Sequence, residues 1–138
     1  MLGQLLVAGL LLAVCVIIHA VGTHATQIGL RRRDLGPLGP AQSHPLRMLV
    51  ALFLLIFALH VVEIGVWAVF YVAAGVLPTF EEAVYFSIAS YTTVGYGDVV
   101  LGPEWRVLGA AEAAAGVLLF GWSTALLFAA IQRLYQPR

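Results

Sequence analysis

The sequence predicts an all-α integral membrane fold, with three transmembrane helices per chain and a fourth, shorter helix that enters the membrane without crossing it. Three observations carry this. The 138 residues are 62% hydrophobic and 10% charged, with a mean hydropathy of +0.97, which is too apolar for a water-soluble domain and too short for more than one membrane module. Residues 2–21, 46–77 and 105–134 are apolar stretches that reach the roughly 20 helical residues a hydrocarbon core requires. Residues 80–91 are apolar as well but too few to span.

The first stretch defines an N-terminal transmembrane helix over residues 1–22. It carries no ladder of arginines and so is not a voltage sensor; it is expected to pack outside the remaining helices. The alternative is a cleaved signal peptide, since Thr23-His24-Ala25 has the look of a cleavage site. Against it stand the missing basic n-region and an apolar run longer than an h-region. Residues 23–45 follow as a linker, and Gly36, Pro37, Gly39, Pro40 and Pro45 break it too often for a long helix. Arg31, Arg32, Arg33 and Arg47 lie in or beside this linker, while Arg133 and Arg138 follow the last span. The excess of arginine marks both regions as cytoplasmic, which puts the N-terminus outside and the C-terminus inside. The arginines also suit contact with lipid headgroups.

The second half, 46–138, divides into an outer helix 46–77, a short helix 79–91, a loop 92–98 and an inner helix 105–134. Pro78 is followed by Thr79 and then by Glu82 three residues on, a capping box that starts the short helix at Thr79. Its C-terminal end carries partial negative charge, a favourable place for a cation inside a membrane. The single cysteine, Cys15, sits in the first span, so neither a disulfide framework nor a cysteine metal cluster is available.

The loop Thr92-Thr93-Val94-Gly95-Tyr96-Gly97-Asp98 alternates glycine with larger residues. Glycine accepts positive φ, so Gly95 and Gly97 allow successive carbonyls to face one side while Val94 and Tyr96 turn their side chains away. A row of such oxygens can replace the water around a dehydrated cation. This run resembles the potassium-channel selectivity filter, whose carbonyl rings are the established example of that chemistry, so the assignment is one of resemblance and not of derivation.

From residue 46 onward the chain resembles the pore module of bacterial two-transmembrane potassium channels, with an additional N-terminal helix. The resemblance implies a re-entrant pore helix and a cyclic homotetramer in which each chain supplies a quarter of the filter. It also implies a bacterial plasma membrane location. Thr93, Val94, Gly95, Tyr96 and Gly97 would bind K+, with no cofactor besides these ions. Thr92 and Asp98 would support the filter, Asp98 from the external mouth. Tyr85 and Phe86 would meet Tyr96 as an aromatic brace, with Tyr85 free to hydrogen-bond Asp98; the alternative is that they are simply buried aromatics, the better reading for Phe86. Ala89 stands where some relatives carry a carboxylate, so a carboxylate pair with Asp98 is not expected. On the inner helix Phe120, Thr124 and Phe128 recur every fourth residue on one face and would line the cavity and gate. Gly116 would be a hinge, while close helix packing explains Gly116 and Gly121 equally well.

Three ionisable residues lie within predicted spans: His60, Glu63 and Glu112. Such groups are costly in lipid and face protein. His60 and Glu63 share a helix face, and counting from the helix ends puts Glu63 and Glu112 at a similar depth. The three are expected to form one hydrogen-bonded cluster behind the short helix that supports the loop and responds to pH, or that serves as a metal or proton pathway. Two other functions follow from other weightings: a proton or metal transporter built on these three residues, and a non-conducting auxiliary subunit. No phosphate loop or nucleophilic triad points to an enzyme, and no basic patch points to nucleic acid.

Overall fold

The computed structural model describes residues 1–34 and 45–135. They form four helices: α1 (Leu2–Asp34), α2 (Pro45–Ala73), α3 (Phe80–Tyr91) and α4 (Arg106–Tyr135). The stretches Leu2–Thr26, Leu46–Ala73 and Arg106–Gln132 are long and apolar enough to cross a membrane. The chain is thus an all-helical integral membrane protein. Leu6, Leu10, Phe53, Phe57 and Leu118 are exposed on the helix surfaces, as a lipid-facing perimeter requires.

α1 corrects the predicted boundary at residue 22, because the helix continues to Asp34. Between 22 and 34 the only breakers are Gly22 and Gly29, each worth about 1 kcal/mol relative to alanine. That is too little to stop a helix already propagating. Thr23 and Thr26 are satisfied within it, donating to the carbonyls of His19 at 2.8 Å and Gly22 at 2.7 Å. The rest of the expected linker, 35–44, and residues 136–138 with Arg138 lie outside the described residues.

α2 ends at Ala73 and not at the predicted residue 77. Gly75 takes φ +66°, its N–H donates to Val72 O at 3.0 Å, and the N–H of Val76 donates to Tyr71 O at 2.8 Å. This is a Schellman stop, which satisfies two terminal carbonyls and turns the chain toward α3. α3 then starts from Thr79, whose hydroxyl accepts the Glu82 N–H at 3.2 Å.

α3 packs against both α2 and α4, and α1 lies against the same two helices. Trp67, Tyr71, Tyr91, Leu108 and Leu119 are fully buried where they meet, with Cys15 contributed by α1. A Cβ at Gly116 would overlap the Tyr91 carbonyl, so α4 touches the backbone at the end of α3. α1 also meets the start of α4: Gln4 Oε1 accepts the Leu108 N–H at 3.1 Å, a donor it shares with the Trp105 carbonyl at 3.0 Å. The start of α1 therefore lies at the same end of the bundle as the start of α4.

Candidate functional site

The loop that leaves α3 is tied back to it through its amides. Thr92 N–H donates to Ile88 O at 3.1 Å, Thr93 N–H to Ser90 O at 2.9 Å, and Gly95 N–H to Ala89 O at 2.9 Å. Thr92 Oγ1 adds a bond to Ile88 O at 2.6 Å. The carbonyls of residues 93–97 accept no hydrogen bond among the described residues. The amides of Thr93 and Gly95 are thus tied to α3, while the acceptors are left free.

Positive φ falls on every second residue: Thr93 at +63°, Gly95 at +56° and Gly97 at +80°. Alternating left- and right-handed residues keeps all N–H groups on one side of the strand and hence all C=O groups on the other, the acceptor counterpart of an anion nest. Gly95 and Gly97 adopt this without strain. Thr93 does not, and a β-branched residue at positive φ is a rare, held conformation of the kind that clusters at functional sites. Sequence reasoning named the two glycines for this role but not the strained threonine.

Outside this strand, Tyr85 donates to Asp98 Oδ2 at 2.7 Å, and its ring lies parallel to that of Tyr96, with 6.5 Å between centroids and 12° between planes. Asp98 Oδ1 accepts the Val99 N–H at 3.1 Å. The Tyr85 hydroxyl holds the Asp98 carboxyl below its usual range, and the Tyr85 phenol is pushed up in return. Phe86 follows the buried-aromatic reading and not the brace: it is buried and meets Tyr71 edge-on at 5.3 Å. Val94 and Tyr96 keep their side chains exposed.

On α4, Thr124 and Phe128 are exposed, as a cavity-lining face needs, with Thr124 Oγ1 donating to Phe120 O at 2.9 Å. Phe120 differs from them, for its half-buried ring packs on His60 at 4.5 Å and on Tyr91 at 5.5 Å. Gly116 is buried against Tyr91, which gives it a packing reason.

The predicted cluster of three ionisable residues divides in two. Glu63 and His60 meet, with His60 Nδ1 2.9 Å from Glu63 Oε2, whereas Glu112 turns to Tyr71, which donates to its Oε2 at 2.7 Å. Among the described residues, Glu112 Oε1 and Ser87 Oγ are buried without a hydrogen-bond partner. Glu63 and Glu112 thus bond to different residues, which depth alone did not decide. In its place come residues the sequence reading left out. His19 Nδ1 lies 2.8 Å from Glu63 Oε1, and Tyr91 donates to Glu63 Oε2 at 2.6 Å. Ser123 Oγ closes a ring, 3.0 Å from His60 Nε2 and 3.2 Å from His19 Nε2. His19 meets the criterion that selected His60, being an ionisable side chain inside an apolar span; Ser123 and Tyr91 carry no such signal.

Residues 48–133 match the family described as Ion channel. This chain belongs to that ion channel family, and the exposed carbonyl strand lies inside the matched region. No curated protein and no solved structure matches the chain.

Proposed function

We propose that the chain conducts K+ selectively and passively, as a homotetramer whose four 93–97 strands face a common axis in the manner of a selectivity filter. The observation that carries the reading is the strand itself: free carbonyls, amides tied to α3, and positive φ at every second residue. A desolvated K+ needs such a shell of oxygens, and a strand anchored through its other face keeps it open. On this reading α3 is the re-entrant pore helix, Asp98 marks the outer mouth, and Thr124 and Phe128 line the inner cavity. Val94 and Tyr96, exposed in the single chain, are covered by neighbouring copies. On this reading the arginine bias argues for an N-terminus outside and a C-terminus in the cytoplasm, and the resemblance to bacterial channels argues for a bacterial inner membrane.

The transporter alternative required His60, Glu63 and Glu112 to form one relay, and the separate hydrogen bonding of Glu112 favours the channel. The test is flux from liposomes containing the purified chain alone, with K+ against Na+ and barium as blocker. Potassium flux blocked by barium, and lost in Gly95→Ala, is the expected result. Alanine at φ +56° is strained by about 1–2 kcal/mol in each copy. Equal passage of sodium, or full flux in Gly95→Ala, would overturn the reading. A silent but assembled wild type would make the chain an auxiliary subunit.

A further inference from the structure

All four helices contribute to one buried polar ring: His19 from α1, His60 and Glu63 from α2, Tyr91 from α3 and Ser123 from α4. Its hydrogen bonds do not close when the usual protons are assigned. With Glu63 ionised, its two oxygens take the Nδ1 protons of both histidines, leaving both Nε2 atoms as bare acceptors. Both face Ser123 Oγ, which has a single proton to give. One buried imidazole nitrogen is then opposed by an oxygen lone pair.

A third proton on one imidazole removes the conflict by pairing that ring with the Glu63 carboxylate, and so does a metal ion. If Nδ1 of each histidine binds a metal, each ring carries its proton on Nε2, and both N–H groups donate to the two lone pairs of Ser123 Oγ. The serine's own proton is free for the carbonyl one turn back, the common partner of a helical serine. Ser123 becomes the outer hydrogen-bond partner that fixes ligand tautomer in metal sites. The inner donors already converge: one ligand atom each from His19, His60 and Glu63 lie within 4.8 Å of one another, and Tyr91 OH lies 3.2 Å from His60 Nδ1.

We propose that this ring is a binding site for a divalent transition metal of the zinc class, held by Nδ1 of His19, Nδ1 of His60 and the Glu63 carboxylate, with the Tyr91 hydroxyl as fourth donor. Two imidazoles, one carboxylate and a further oxygen suit four-coordinate zinc. The ion fastens α1 to the last residue of α3, immediately before the 92–98 loop.

The full chain is expressed with added zinc, purified in detergent, and its metal content measured. One zinc per chain is expected, with an X-ray absorption spectrum showing nitrogen and oxygen ligands at about 2.0 Å. Cobalt loaded in place of zinc is expected to give the visible bands of a four-coordinate ion. His19→Ala, which leaves the α2 ligands in place, is expected to lose the metal. Wild-type protein with far less than one metal per chain would overturn the site, as would undiminished metal in folded His19→Ala, since exposed residues such as His24 would then be holding it. The wild-type measurements decide the matter even if the variant fails to assemble. A metal-free result leaves the conduction reading intact, because no filter residue is a ligand.

Discussion

Tyr85 and Asp98 show how one exposed hydrogen bond can be given a pH dependence. The hydroxyl lowers the carboxyl's folded-state pKa, so the bond's contribution is complete above the ordinary carboxylate range and is lost as pH falls through the lowered value. The loop should therefore be held at neutral pH and released as pH falls through the lowered Asp98 value. Tyr85→Phe removes the donor and with it the bond at every pH. Its flux is expected to be reduced already at neutral pH and to lack the wild type's acid step; coincident profiles would mean that the bond does not hold the mouth. At this scale the sequence was informative where chemistry is local. The pairing of Tyr85 with Asp98 followed from the resemblance to potassium channels, and the short helix and short loop between them keep the two close. Phe86, one residue on, went to Tyr71 because its direction depends on where α2 runs.

Helix ends and crossings define the next scale. The start of α3 at Thr79 and the stop of α2 at Gly75 both follow from side-chain type and φ, yet only the former was legible beforehand. A glycine four residues before a capping threonine can lie inside a helix or end one, and the Schellman bonds choose. The two glycines of α4 separate in the same way. Gly116 abuts the Tyr91 carbonyl, while nothing lies within 4 Å of a Cβ built at Gly121. Gly116→Ala is accordingly expected to destabilise the assembled protein by about 1–3 kcal/mol through overpacking. Gly121→Ala is expected to be neutral or to stabilise by up to about 1 kcal/mol. Unfolding in mixed detergent and denaturant measures both; equal effects would show that the contact at Gly116 relaxes freely.

In the whole molecule, α1 precedes residues 48–133 of the family match and docks against α2 and α4. Its inner face is well anchored: His19 is fully buried on Glu63, and Gln4 accepts the Leu108 N–H of α4. Conversely the carbonyl strand, with Val94 and Tyr96, is exposed, so the single chain is closed where α1 docks and open at its loop. The protein in mild detergent is expected to have four times the 14.8 kDa chain mass, and cross-linking should stop at the tetramer. A monomer or dimer that still passes potassium would remove the shared axis.

The sequence by itself determined the membrane class, the three spans, the short capped helix and the loop whose glycines permit a row of carbonyls. Each of these rests on composition, length or a local backbone preference. The tertiary structure alone decided which ionisable groups meet. His19 is 44 residues from Glu63 and Ser123 is 104 from His19, and such distances in sequence are joined only by how helices rotate about their axes as they pack. Depth in the bilayer can be counted along a chain, but the face that a side chain presents is fixed by its neighbours, and this is why Glu112 fell to Tyr71 while His19 entered the ring.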